Sequence, residues 1–249
     1  MVDAKIRCGI GGWTFKSWRG TFYPKGLRQA DELNYAASKL SSIEINGTYY
    51  RTQTPGSFAK WGAAAPDGFQ FAVKASRYCT NRKFLPDAKE SMEKFFAQEI
   101  DDLGDRLGPI LWQFMPTKKF DAAEVKDYVE LFPKQLNGIP VRHVMEARHE
   151  SFRDDRFFDL LKDNDIALVN SDSDKYPKFS EQTASFAYLR LLCADENIET
   201  GYAMDEIAKW SEQFSQWRSD GRDVYVYFIN GAKVRAPAAA MALMEHLGD

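Results

Sequence analysis

Ser42-Ile43-Glu44-Ile45-Asn46 is the stretch on which the fold of this chain turns. Its polar and apolar residues alternate, and successive side chains of a strand point to opposite faces. Ile43 and Ile45 therefore share one face, and Ser42, Glu44 and Asn46 share the other. A strand that is apolar toward one layer and carries a carboxylate on the opposite face fits a sheet covered by helices and curled around a polar mouth. Working outward, seven further segments read as strands: Ile6–Ile10, Phe69–Lys74, Ile110–Phe114, Arg142–Glu146, Ile166–Asn170, Phe186–Leu191 and Val224–Ile229. Helical periodicity fills most of the intervals, at Gln29–Leu40, Ala88–Leu103, Ala122–Gln135, Asp155–Asp163, Met204–Arg218 and Pro237–Leu247. This alternation within 249 residues predicts an α/β fold, a single (β/α)8 TIM-like barrel around a parallel eight-stranded sheet. The interval Ser171–Ser185 carries Pro177 and has little room for a crossover helix, so the helix between strands six and seven is expected to be short or missing. No linker or low-complexity tract interrupts the chain, and residues 1–249 read as one domain.

The parity of the second strand sets the others. With Ser42, Glu44 and Asn46 pointing into the barrel, Gln70 and Lys74 face in on the third strand and Gln113 on the fourth. Glu146 and Arg148 face in on the fifth, Asn170 and Asp172 on the sixth, Arg190 on the seventh and Asn230 on the eighth. These positions lie toward the C-terminal ends of the strands, the face on which barrels carry their active sites. Glu44, Glu146 and Asp172 would then meet Lys74, Arg148 and Arg190. Charges inside a barrel must be paired or solvated, so a purely structural salt-bridge network would draw on the same residues.

Composition narrows the chemistry. Lys and Arg number 33 against 36 Asp and Glu, a formal net charge of −3, which argues against a basic nucleic-acid coat. Cys8, Cys79 and Cys193 are odd in number and far apart, so neither a disulfide framework nor a metal clip is expected. No apolar run reaches membrane-spanning length and no signal peptide is evident, so the chain reads as cytoplasmic with no membrane partner. Its three histidines, His143, His149 and His246, are too few for a multi-zinc centre, and only His149 falls near the expected mouth. The expected cofactor is therefore none, and the alternative is a single Mg2+ or Mn2+ on Glu44, Glu146 and Asp172.

Several stretches resemble the YecE-like family, a group with a domain of unknown function. They are Gly11-Gly12-Trp13, Trp18-Arg19-Gly20-Thr21-Phe22-Tyr23-Pro24, Glu44-Ile45-Asn46-Gly47-Thr48-Tyr49-Tyr50 and Phe71-Ala72-Val73-Lys74. Further along come Leu107-Gly108, Leu111-Trp112-Gln113-Phe114, Glu146-Ala147-Arg148-His149-Glu150-Ser151-Phe152, Ala187-Tyr188-Leu189-Arg190 and Val224-Tyr225-Val226-Tyr227-Phe228-Ile229-Asn230. The resemblance implies a TIM-like barrel and supplies no reaction. The chain departs from the family pattern at Asn81, where a histidine is usual, at Phe152, where a tryptophan is usual, and at Ile229, where an asparagine is usual.

Three chemistries fit these residues. Glu44 and Glu146 are positioned to act as a general acid and base if their environments separate their pKa values. Lys74 joins them as a catalytic group, either neutralising them or, if burial lowers its pKa, acting as a Schiff-base nucleophile. Arg148 and Arg190 suit bidentate recognition of a carboxylate or phosphate. Trp13, Asn46, Tyr50, Gln113, His149, Asp172 and Asn230 complete the expected substrate-binding set. The reading is an enzyme of hydrolase or isomerase class acting on a small polar or anionic molecule bearing sugar or phosphate. The alternatives are a repair-type nucleic-acid phosphodiesterase, with Lys74, Arg77, Arg82 and Lys83 along the backbone, or a non-catalytic binding barrel.

Overall fold

The computed structural model describes residues 4–229 and 231–248. Eight parallel strands close into a barrel: Ile6–Gly11, Ser42–Ile45, Gln70–Lys74, Leu107–Gln113, His143–Glu146, Ile166–Ser171, Phe186–Leu191 and Asp223–Phe228. Each strand pairs with its sequence neighbours, and the first closes on the eighth, with Ile6 opposite Val224 and Ile10 opposite Phe228. Among the described residues no helix is long and apolar enough to cross a membrane.

Strand alternation divides the apolar residues into two cores. Ile43, Ile45, Phe71, Val73 and Met145 face outward and pack under the helices. Ala72, Leu111, Val144, Val169, Tyr188 and Tyr227 fill the barrel. Buried phenols need partners, and strand two supplies two of them. The Tyr227 hydroxyl lies 2.7 Å from Ser42 Oγ, and Tyr188 donates to Glu44 Oε2 at 2.8 Å.

The helices follow the expected order with shorter spans. Gln29–Leu40 becomes a 3-10 turn, Gln29–Asp31, running into an α-helix at Glu32–Ala37. Ala88–Leu103 is helical at Lys89–Phe96 and then breaks, because Glu99 adopts a left-handed backbone (φ 64°) before the 3-10 segment Ile100–Arg106. Ala122–Gln135 stops as a helix at Val129, and Gln135–Leu136 instead forms a small hairpin with Ile139–Pro140. Helix Ser57–Ala64 crosses between strands two and three, where no helix is expected from the sequence. Its start is disguised by Thr54-Pro55-Gly56, which reads as a turn, and Gly62 weakens its pattern. Ser171–Ser185 contains no helix past the strand end, as expected. Thr183 Oγ1 ties this loop back along strand six, donating to the Ile166 carbonyl and accepting from the Leu168 amide.

Strand six requires a correction. Ala167 and Val169 lie in the inner core, and Ser171 pairs with Arg190, so the inward parity is 167, 169 and 171. Asn170 has the opposite parity and donates to the Leu168 carbonyl. The expectation had extended the polar pattern of strand five without allowing for the apolar inner residues of strand six.

Gly9 is where strands one and two meet most closely. A Cβ built there would sit 2.1 Å from the Ser42 carbonyl oxygen, a backbone atom that cannot swing aside. Gly9→Ala is therefore expected to destabilise the barrel by about 3 kcal/mol, the upper end of ordinary overpacking. Guanidinium unfolding would measure it as a lowered midpoint at unchanged slope.

Candidate functional site at the barrel mouth

The C-terminal ends of five strands converge on one buried ionic cluster. Glu44 from strand two, Lys74 from strand three, Gln113 from strand four, Glu146 from strand five and Arg190 from strand seven are all buried. Arg190 grips Glu44 with two bonds, Nε to Oε2 at 3.0 Å and Nη2 to Oε1 at 3.1 Å. Its third nitrogen, Nη1, donates to Glu146 Oε2 at 2.6 Å. Arg148 holds the other oxygen, Oε1 of Glu146, from Nε at 2.8 Å and from Nη2 at 2.7 Å. The Arg148 guanidinium also stacks on the Tyr176 ring, 4.3 Å from its centroid. Gln113 donates to Glu146 Oε2 at 2.7 Å, which turns its own oxygen toward Lys74 Nζ at 2.8 Å.

This arrangement decides which groups keep free chemical capacity. Every carboxylate oxygen of Glu44 and Glu146 accepts at least one donor. Burial would raise the Glu146 pKa, but Arg190, Arg148 and Gln113 outweigh it and hold the carboxylate down at about 2. Burial works against the Arg190 charge too, yet its two carboxylates raise its pKa and keep it protonated. Lys74 differs from both arginines. It forms no ion pair among the described residues, its partners being the Gln113 oxygen and the face of Tyr49, 4.2 Å from the ring centroid. Burial, and then the neighbouring Arg190, bring its pKa down from 10.5 to about 8 against the pull of Glu44 and Glu146.

Above the cluster opens a cavity of about 640 Å³. Trp13, Asn46, Tyr50, Lys74, Gln113, Arg148 and Arg190, all expected from the sequence, line it. Its wall also contains Arg51, Trp61, Phe15 and Lys233, which the sequence reading missed. Trp61 sits edge-on to Trp13 (centroids 5.2 Å apart) and belongs to the unanticipated helix Ser57–Ala64. Lys233 follows strand eight and lies 3.8 Å above the centroid of Phe15. Strand alternation could not have reached it, because Lys233 lies in the 3-10 turn Lys233–Arg235, five residues past the strand end at Phe228. Among the described residues no Asp or Glu lines this cavity, whereas five cations do: Arg51, Lys74, Arg148, Arg190 and Lys233. A cavity of about 670 Å³ at the other end of the barrel, around Arg7 and Phe69, lies on the face that barrels use for stability.

Two expected members of the site are engaged elsewhere. Asp172 accepts from the Leu192 amide at 2.6 Å, the Cys193 amide at 3.2 Å and the Tyr202 hydroxyl at 2.7 Å, so it pins the loop after strand seven. The alternative metal set Glu44, Glu146 and Asp172 is accordingly not brought together. Among the described residues no group of three or more His, Cys, Asp or Glu is arranged to hold a metal. His149 caps the short turn Glu150–Phe152, its Nδ1 accepting from the Ser151 amide at 3.1 Å. Asn230 lies outside the described residues. Asn81 donates to the Tyr49 hydroxyl at 3.3 Å and so supports the ring that faces Lys74.

Removing Arg190 would leave two buried carboxylates short of their main donor. Arg190→Leu is expected to cost ~3–5 kcal/mol near neutral pH, the usual penalty for breaking a buried pair. Glu146 has a folded pKa of about 2 against an ordinary 4.5, so its stabilisation is complete above the ordinary value and is lost as pH falls through that window. The gap between wild type and Arg190→Leu should therefore narrow on acidification, read by urea midpoints near pH 7 and pH 3.

Comparison with known proteins agrees with this architecture. A DUF72 family protein of known structure from Thermotoga maritima superposes with a TM-score of 0.78 at 21% identity, over 98% of this chain and all of that one. A DUF72 family protein from Enterococcus faecalis gives 0.73 at 20% identity, over 99% and 98% of the two chains. Among curated proteins, the UPF0759 protein YunF of Bacillus subtilis is 27% identical over 230 residues, 88% of this chain and 71% of YunF. The family model described as a protein of unknown function, DUF72, matches residues 7–249, and the chain belongs to that family.

Proposed function

We propose that the barrel mouth binds a small anionic molecule, a phosphate or carboxylate on a polar, sugar-like body, and acts on it with Lys74 as the acid–base group. The observation that carries this reading is the cavity wall with five cations and no carboxylate. Three of those five, Lys74, Arg148 and Arg190, face Glu44 and Glu146 beneath the cavity and outnumber them by one charge. A partly enclosed cavity with surplus positive charge favours an anion. Arg148 is held flat by Tyr176 and Glu146, which suits bidentate contact with phosphate or carboxylate. Trp13 and Trp61 supply an apolar wall for the body of the ligand.

Within this reading the two glutamates orient the guanidinium groups. Every carboxylate oxygen already accepts a donor, and Glu146, held at about pKa 2, has no proton to give near neutrality. Lys74, near 8, matches the range in which a general acid or base works best. The YecE-like resemblance points to the same group of proteins, and we take residues 1–249 as one cytoplasmic domain. A polymeric nucleic acid fits less well, because Arg82 of the basic segment is tied back to the Tyr78 carbonyl and to Ser91.

Binding of inorganic phosphate, followed through the fluorescence of Trp13 and Trp61, tests the reading. Affinity is expected to weaken as pH rises through about 8, where Lys74 loses its charge, and Lys74→Met should remove that inflection. Arg148→Ala should weaken binding about tenfold or more, the worth of a charge-assisted hydrogen bond. Saturable binding that ignores both substitutions would overturn the assignment. So would preferential low-salt binding of oligonucleotides in an anisotropy titration, which would instead favour the nucleic-acid alternative.

A further inference from the structure

Among the described cations of the mouth, Lys74 is the buried one that forms no ion pair. It is only 7% exposed yet lines the cavity. The two carboxylates that would have paired with it are committed to Arg190 and Arg148. Gln113 cannot reverse its amide without losing its bond to Glu146, so it presents only an acceptor to Lys74. A neutral amine can still donate to that oxygen, although less strongly than an ammonium. It spends one N–H on Gln113 and keeps its lone pair free for the cavity. A lysine buried beside another cation, without a carboxylate of its own, is the arrangement that makes an amine nucleophilic.

We propose that Lys74 forms an imine with the carbonyl group of an anionic aldehyde or ketone held in this cavity. The inference rests on the anion-binding reading and narrows it to carbonyl compounds. The amine lone pair attacks the carbonyl carbon, and the C=O pair moves to oxygen, which takes a proton from solvent in the open cavity. Nitrogen releases a proton to give a neutral carbinolamine. The hydroxyl takes a second proton from solvent, the nitrogen lone pair expels it as water to leave an iminium, and loss of the N–H proton to solvent gives the neutral imine. Amine and carbonyl become imine and water, with nothing oxidised or reduced. Arg148 and Arg190 hold the anionic group, and the iminium supplies an electron sink for proton abstraction or bond cleavage next to the former carbonyl carbon.

Pyridoxal 5′-phosphate serves as a phosphate-bearing aldehyde probe and neutral pyridoxal as its control. The whole protein is incubated with each at about pH 8, reduced with borohydride, and mapped by peptide mass spectrometry. Lys74 is expected to be labelled at least about tenfold faster than any lysine outside the cavity, with Lys233, whose pKa burial also lowers, as the comparison inside it. Inorganic phosphate should slow that labelling, neutral pyridoxal should react more slowly, and Lys74→Arg should lose the adduct. The wild-type map carries the test even if the variant folds poorly. Labelling spread evenly over surface lysines overturns the imine. If phosphate still quenches tryptophan fluorescence in that case, the anion site stands without it. Preferential Lys74 labelling that phosphate does not slow keeps the imine and overturns the anionic ligand.

Discussion

The structure depends on one guanidinium. Arg190 rises from strand seven and reaches across the barrel to Glu44 on strand two and Glu146 on strand five, all three almost fully buried. Burying three charges is costly, and removing any one leaves its partners uncompensated. The cluster is tolerable because every carboxylate oxygen is met: Tyr188 takes the remaining capacity of Glu44, and Gln113 and Arg148 that of Glu146. The positions of Tyr188, Gln113 and Arg148 are thus consequences of Arg190. So is the isolation of Lys74, since no carboxylate is left to pair with it.

Much of this was legible in the sequence because strand parity is binary. Once Glu44 is turned inward by Ile43 and Ile45, the inward placement of Lys74, Gln113, Glu146, Arg148 and Arg190 follows from the same alternation. Parity says which face a side chain takes and nothing about its partners. Lys74 and Glu44 lie on adjacent strands and look like a pair in one dimension, whereas Glu44 bonds across the barrel to Arg190, 146 positions away in the chain. The inference fails just past a strand end, as Asp172 illustrates. There backbone amides compete for a carboxylate, and the loop after strand seven wins it. Trp61 was hidden for a different reason: its helix begins behind a left-handed glycine, Gly56, and turn chemistry masks helical periodicity at such a junction.

Asn81, where the YecE-like resemblance would place a histidine, fits the same geometry. Asn81 donates to the hydroxyl of Tyr49, whose ring faces Lys74. An amide can hold that ring in place as a hydrogen-bond donor, but unlike imidazole it carries no proton that titrates near neutrality. With Glu146 held down at about 2, Lys74 is the residue of the cluster that burial brings toward the neutral range, to about 8. The proposed anion would offset a positive surplus in which three cations, Lys74, Arg148 and Arg190, face two carboxylates.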